Sequence, residues 1–398
     1  MGSRGFNDFL SPYVQTKAWM HGQDPYDPRV IAQLWPPEVE TPGFLQAESE
    51  SGTLPGRRGI PSPYPPTGFP LLVPLAILSW PSASAVWVAI STLSFVTIVF
   101  STLAVARVAW RTIPGAAIVL GALMLAPFHT AIATGNIVLV VFALGMLAWL
   151  SAERGSHVWA GLLLAFAAAL KPTVAVPFLI CFVARRRWRA LTVTLAGGLA
   201  LFLIADLRML SASVHWASSY LLNGRRMFAP GGIDDFTVAN PTRFDLLNLQ
   251  VVLFQIAGST ELAQVLAWLI STGLLLYWMI RYRKEEAGLF DLAVVGTISL
   301  LPFYHRFYDG CLLILPLAWA IRQIDARQRV LGRSLLIAAL PFAVPGAVLL
   351  RWVAERNAAV YALSQSWWWQ LLIAPHQVWI ILLMAVFLLV AQAETARA

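Results

Sequence analysis

Three stretches of this chain carry side chains able to do chemistry together. The first is Asn7–Asp8–Phe9, whose carboxylate could take a proton from a hydroxyl held within hydrogen-bond reach. The second is Ala168–Ala169–Leu170–Lys171–Pro172. Proline is favoured at the first position of a helix, so Lys171 stands beside freed backbone N–H groups, an arrangement that suits an anion. The third is Pro302–Phe303–Tyr304–His305–Arg306–Phe307–Tyr308–Asp309, where His305 and Arg306 add cationic groups. Lysine, arginine and histidine on one face suit a phosphate better than a single carboxylate. Gly135–Asn136 joins them on the same side. Each feature also has a plain reading: Lys171 snorkelling to headgroups, His305 and Arg306 as ordinary loop residues, and Asp8 as a solvated loop carboxylate.

The elements that must position these groups follow from composition. The chain has 398 residues, 58% hydrophobic and 12% charged. Soluble chains sit near roughly 45–50% and 25%. A water-soluble globule and a disordered chain are both excluded. The formal charge of +8 invites a nucleic-acid reading, but the basic residues punctuate apolar runs, so the charge is a topology signal and no nucleic-acid partner is expected. Cys181 and Cys311 lie in apolar runs with no CxxC and no neighbouring histidine, which leaves neither a disulfide framework nor a zinc site. Phosphate-loop, dinucleotide, HExxH and DxD patterns are missing as well, so ATP-driven transport and soluble nucleotide-sugar chemistry lose ground.

The pattern is that of an all-α, polytopic integral membrane protein. Spans are expected at roughly 82–107, 113–130, 136–151, 157–170, 173–184, 190–207, 262–281, 288–304, 310–322, 333–352 and 373–392, about eleven in all. Arg107 with Arg111, Arg154, the Arg185–Arg189 run, Arg281 with Arg283 and Lys284, and Arg322 to Arg333 then share one side, the cytoplasm. Arg154 and Arg185 on the same side require residues 157–184 to go out and return as a hairpin broken at Lys171–Pro172. A competing reading makes 68–80 a span and lets 157–184 cross once; Pro70 and Pro74 argue instead for an interfacial or re-entrant piece. Four regions result: an extracytoplasmic segment with interfacial helices (1–81), a transmembrane core with the Lys-Pro hairpin (82–207), a second extracytoplasmic loop (208–260) and C-terminal transmembrane helices (261–398). Nothing in the opening residues would carry 1–81 across a membrane, so a first transmembrane helix is expected to be missing.

Several short motifs, in order, resemble a known family. Asn7–Asp8–Phe9 with Tyr13, then Gly22–Gln23–Asp24–Pro25–Tyr26–Asp27, then Tyr64–Pro65–Pro66 ahead of an apolar helix, is similar to the opening of the GT-C glycosyltransferases that use polyprenyl-phosphate sugars. The branch it resembles most is glycosyltransferase family 87, polyprenyl-phosphate-mannose-dependent alpha-mannosyltransferases and arabinofuranosyltransferase-like membrane proteins. Gly135–Asn136–Ile137–Val138 resembles that family's Gly-Gln-x-Asn segment, with Asn136 where Gln is usual and Val138 where Asn is usual. Gly161 through Lys171–Pro172 to the Arg185–Arg189 run resembles its helix–Lys–Pro–helix–basic block. Asn240–Pro241–Thr242 resembles its Asn-x-Ser element, and Pro302–Asp309 its histidine-bearing outer loop.

The resemblance implies a GT-C-like helical bundle that transfers a hexose, mannose above all, from a polyprenyl-phosphate sugar donor to a lipid-linked or cell-envelope glycan or glycolipid acceptor. Transfer would be inverting, at the outer face of the plasma membrane, with Asp8 as base. Lys171 would bind the lipid phosphate, while His305 and Arg306 would contact donor phosphate or sugar. Asn136 and Asn240 would join the donor site. No metal and no cofactor are expected, and the lipid bilayer is the remaining partner. The alternatives are a transporter or flippase of lipid-linked intermediates, or an inactive membrane scaffold.

Overall fold

The computed structural model describes residues 7–39, 64–282, 288–325 and 329–395. Arg283, Lys284 and Arg327 of the expected cytoplasmic clusters lie outside these residues. The described residues are helical nearly throughout, and their single β feature is an isolated antiparallel bridge between Leu246 and Arg306.

Each expected span overlaps a helix or a bent helix pair. The number that can cross a bilayer by length and composition is smaller. Trp80–Ala106, Trp188–Ser211, Thr260–Arg281 and Phe307–Ile324 qualify alone, and two bent pairs bring the total to at most 6. The remaining apolar helices run 10–17 residues. A 14-residue helix rises about 21 Å, short of the ~30 Å hydrocarbon core. Among the described residues, length and composition by themselves support four to six spans, and they do not confirm the expected count of about eleven.

At both breaks a side chain pairs with backbone carbonyls. In Ile113–Met124 followed by Ala126–Thr134, bent by 49°, the carbonyl of Leu123 has Pro127 four residues on and so loses its helical donor. His129 Nε2 pairs with that carbonyl at 2.6 Å. In Arg329–Ala343 followed by Gly346–Arg356, also bent by 49°, Gln377 Nε2 donates to the carbonyls of Pro341 and Val344 at 3.0 and 3.3 Å.

The chain divides into two compact units that interleave along the sequence. One takes the residues up to Ser94, Ala131–Ala175 and Arg189–Pro241; the other takes Phe95–Thr130, Val176–Trp188 and Thr242 onward. In the first unit, the Val138–Glu153 and His157–Leu170 helices form a hairpin whose turn places Gly155 at φ +79°. Gly161 permits a close crossing with the Trp188–Ser211 helix. A Cβ there would lie 2.5 Å from the Ala190 carbonyl oxygen, and Thr194 Oγ1 donates to the Gly161 carbonyl at 3.1 Å.

In the second unit, the fully buried Asp291 carboxylate receives the guanidinium of Arg185, with Nε to Oδ2 at 2.6 Å, and the Trp278 indole N–H at 3.2 Å. The first arginine of the basic run is thus tied into the helical core.

Candidate functional site

Asp8 lies in the first turn of the Asn7–Met20 helix, where a carboxylate suits the positive end of the helix dipole. Pro12 is inside that helix, four residues on, so the Asp8 carbonyl lacks its usual helical donor. The hydroxyl of Tyr64 donates to that carbonyl at 3.4 Å. The next residue anchors the turn, since Phe9 stacks on Trp87 with ring centroids 4.3 Å apart and planes at 4°. Tyr13, one turn further, packs edge-on against Trp80 and donates through its hydroxyl to the Leu78 carbonyl at 2.8 Å. Aromatic packing of this kind is rigid, and it fixes where the Asp8 side chain begins.

The carboxylate meets Asn136. Asn136 Nδ2 donates to Asp8 Oδ2 at 2.9 Å, while Asn136 Oδ1 accepts the Val138 N–H at 3.0 Å. Spending the amide oxygen on the start of the Val138–Glu153 helix leaves the NH2 group for the carboxylate. The backbone before it is set by a Schellman turn: the N–H of Asn136 donates to the Ala131 carbonyl at 2.9 Å and that of Gly135 to Ile132 at 3.2 Å. Gly135 takes φ +69°, and its carbonyl accepts the Trp87 indole N–H at 2.8 Å. The same Trp87 therefore holds both Phe9 and the Asn136 turn. Among the described residues Asp8 Oδ1 has no hydrogen-bond partner, so one oxygen of the half-buried carboxylate is open.

Lys171 stands where expected, at the break between His157–Leu170 and Pro172–Ala184. Its backbone is extended, φ −152° and ψ 90°, as the following proline demands. Its carbonyl accepts the N–H groups of Val174 and Ala175 at 3.2 and 3.3 Å, so Lys171 opens the second helix, and the residue is buried. The last carbonyls of the first helix need outside donors. Thr67 Oγ1 supplies one, donating to Ala169 at 3.0 Å, and the adjoining Gly68 leaves only 3.2 Å between a Cβ and that same oxygen. The short run from Tyr64 to Gly68 thus touches the Asp8 turn with one end and the Lys171 turn with the other. Asp8, Asn136 and Lys171 belong to one unit.

The Gly22–Asp27 motif secures that run. Gly22, at φ +67°, ends the Asn7–Met20 helix in a second Schellman turn. Asp24 accepts the Tyr26 N–H at 2.9 Å and the Ser219 hydroxyl at 2.6 Å. Asn223 Nδ2 donates to the Tyr26 carbonyl at 2.8 Å, and the Tyr26 hydroxyl donates to the Tyr64 carbonyl at 2.6 Å. Trp19, Tyr26, Phe69 and Met209 form the buried cluster beneath. Burial raises the Asp24 carboxyl above its usual range; its bonds to Ser219 and Tyr26 oppose this, and nearby Asp27 adds to it. Burial likewise holds the Tyr26 hydroxyl well above its ordinary value, reinforced by Tyr220 and Asp24.

Asn240 is buried, and its Nδ2 donates to the Asp235 and Ile233 carbonyls at 2.7 and 3.3 Å. Its amide group shapes its own loop.

His305 and Arg306 lie in the second unit. The main chain here is clamped to residues 246–250: Leu247 N–H donates to the His305 carbonyl at 2.7 Å, and Gln250 Nε2 to the Pro302 carbonyl at 2.7 Å. The His305 ring is fully buried, with Nδ1 3.0 Å from Asp309 Oδ2. The same oxygen accepts the Arg306 N–H at 3.2 Å, closing the start of the Phe307–Leu313 turn.

Motif reading named Asp8, Asn136, Lys171 and His305, and missed Tyr64, Thr67, Trp87 and Asp309 as their supports. Two of these had a signal: Pro12 four residues after Asp8 marks a freed carbonyl, and Asp309 stands four residues after His305. Thr67 and Trp87 had none.

Comparison with curated proteins and with solved structures finds no match. Residues 63–302 match the family model of glycosyltransferase family 87, a stretch that holds Asn136, Lys171 and Asn240 and leaves Asp8, His305 and Arg306 outside it. That stretch is more than half of a chain whose helices are those of a membrane protein. This chain belongs to glycosyltransferase family 87 and is a glycosyltransferase.

Proposed function

We propose that this membrane glycosyltransferase has a GT-C-like architecture and moves a hexose, mannose in the first instance, from a polyprenyl-phosphate donor to a lipid-linked or cell-envelope glycan acceptor. The reaction takes place at the extracytoplasmic face of the plasma membrane, with inversion. In this reading the acceptor hydroxyl oxygen attacks the anomeric carbon and gives its proton to Asp8. The bond from that carbon to the phosphate oxygen breaks, its electron pair leaving with the polyprenyl phosphate. A base on the opposite side of the sugar from the leaving group gives inversion, by the geometry that governs inverting glycosidases. Lys171 pairs with the phosphate and stabilises the charge that grows as the bond breaks.

The observation that carries the reading is the Asn136–Asp8 hydrogen bond at 2.9 Å, which orients the carboxylate and leaves Oδ1 open. The Tyr64–Gly68 run supports it by bracing the turns of Asp8 and Lys171 together. His305 and Arg306 are proposed donor contacts, and Asn240 is proposed to act by shaping its loop.

The test uses full-length protein in membranes and labelled polyprenyl-phosphate mannose. Asp8→Asn and Lys171→Ala, each shown to be folded and inserted, should lose transfer. Wild-type rates in both variants would overturn the assignment. Movement of intact donor across a vesicle bilayer with no sugar transferred would replace it with a transport role.

A further inference from the structure

We propose that the Trp216–Phe228 helix is a membrane-surface helix. Its outward face, carrying Leu221, Leu222 and Phe228, seats at the boundary between headgroups and acyl chains, and Arg225 meets anionic phospholipid headgroups. The inference goes beyond the proposed function and does not depend on it.

The chain itself sets the depth of this helix. The preceding Trp188–Ser211 helix is long and apolar enough to cross a bilayer. A Schellman turn ends it: the N–H of Val214 donates to the Met209 carbonyl at 3.0 Å, that of Ser213 to Leu210 at 2.9 Å, and Ser213 takes φ +59°. The chain then folds back. Trp216 packs edge-on against Phe202, and its indole N–H donates to Asp206 Oδ1 at 2.9 Å. Asp206 precedes the end of the span at Ser211 by about 7.5 Å of helical rise, so the new helix begins beside the last turns of the span and not beyond them. Phe202 and Leu207 of the span are exposed apolar side chains, which makes lipid the neighbour at this level.

The helix cannot turn its outward face away. On the inward side Ser219 Oγ donates to Asp24 Oδ2 at 2.6 Å, Asn223 Nδ2 donates to the Tyr26 carbonyl at 2.8 Å, and Asn223 and Met227 are buried. These bonds fix the rotation. On the outward side Leu221, Leu222 and Phe228 are 59%, 47% and 51% exposed among the described residues. Arg225 is exposed too, and helical spacing puts it on their face. Leucine and phenylalanine held outward beside arginine fit the boundary of a bilayer, where the guanidinium reaches the phosphates and its stem lies along the apolar surface. The helix has no acidic residue, and Arg226 follows Arg225, so its charge complements anionic headgroups.

The experiment places full-length protein in vesicles of phosphatidylcholine alone or mixed in equal parts with phosphatidylglycerol. Ser218→Cys, Leu221→Cys and Leu222→Cys, one at a time, carry an environment-sensitive fluorophore. Cys181 and Cys311 are buried, and wild-type protein treated in parallel corrects for any label they take. Emission from all three sites should be blue-shifted, little quenched by iodide, and quenched more by lipid brominated near the headgroup than near the chain end. Anionic lipid should strengthen the headgroup-level quenching, and Arg225→Gln should reduce that gain.

Several results overturn the proposal. Iodide quenching without lipid quenching puts the face in water. Stronger quenching from the chain end puts the helix inside the hydrocarbon. Shielding from both quenchers gives the face to protein, a second copy or another segment of this chain. A gain with anionic lipid that is absent from the wild type, or unchanged in Arg225→Gln, removes the arginine from the contact. None of these readouts involves sugar transfer, so failure of the proposed function and failure of this inference are told apart.

Discussion

Asn136 spans 128 positions of sequence to donate a hydrogen bond to Asp8 at 2.9 Å, and its other amide atom is already committed to the Val138 N–H. The carboxylate is therefore oriented by a residue that is itself fixed by a helix start. Asn136→Ala should lower kcat for sugar transfer on the order of tenfold, the size of one hydrogen bond to a charged group, with donor KM little changed. Asn136→Asp should cost more, because a second carboxylate would face the first. Steady-state kinetics decide this, and an unaltered kcat in Asn136→Ala would mean that Asp8 does not depend on the contact.

Thr67 and Gly68 brace the Lys171 break through the Ala169 carbonyl. Thr67→Val keeps the shape and removes the donor, so it should cost about 1 kcal/mol of stability. Gly68→Ala has to push a methyl against a backbone oxygen 3.2 Å away and should also destabilise. Thermal unfolding in detergent measures both, and a neutral Thr67→Val would show that water replaces the hydroxyl there without loss.

Asp24 gives the fold a pH dependence of definite sign. Its folded carboxyl holds a proton to higher pH than its ordinary value of 3.8, chiefly through burial. Stability from this group is fully present below the unfolded value and is lost as pH rises through the raised folded value. Asp24→Asn should flatten that dependence and be at least as stable as wild type at neutral pH. Asp24→Ala, which also deletes the bonds to Tyr26 and Ser219, should be less stable by about 1 kcal/mol per bond. Unfolding temperature followed across the acid range checks the sign, and stability that climbs with pH through this window only when Asp24 is present would refute it.

The Arg185–Asp291 pair joins a half-buried guanidinium to a fully enclosed carboxylate. Removing Asp291 takes one partner from the Arg185 guanidinium and the acceptor from the Trp278 N–H, and should cost about 1–3 kcal/mol. The double variant Arg185→Ala/Asp291→Ala should be less destabilised than the sum of the two single variants, since the pair's mutual interaction is then lost only once. A double-mutant cycle on unfolding free energy reads the difference directly.

Much of the helical framework was legible in the sequence because its causes are local. Pro172 after Lys171 ends one helix and begins another, and the observed break falls there. Gly22 and Gly135 mark helix ends because a left-handed residue is needed at each Schellman turn. The number of spans was less legible. The run at 136–151 reads as a crossing, yet the helix there, Val138–Glu153, is short of the hydrocarbon core by length alone, and whether such a helix spans depends on its neighbours and on local thinning of the bilayer.

By itself the sequence determined that this is a helical membrane glycosyltransferase and that its chain breaks at Lys171–Pro172, and it nominated Asp8, Lys171 and His305 as residues to test. Only the tertiary structure decided that Asn136 orients Asp8, that Tyr64 and Thr67 brace the Asp8 and Lys171 turns, and that Asp309 holds His305. The reason is physical. Apolar length, prolines and glycines constrain backbone hydrogen bonds within a few residues, and those constraints can be read along the chain. A side-chain bond across a hundred positions exists only once packing has brought its partners within 3 Å, and no local pattern encodes that approach.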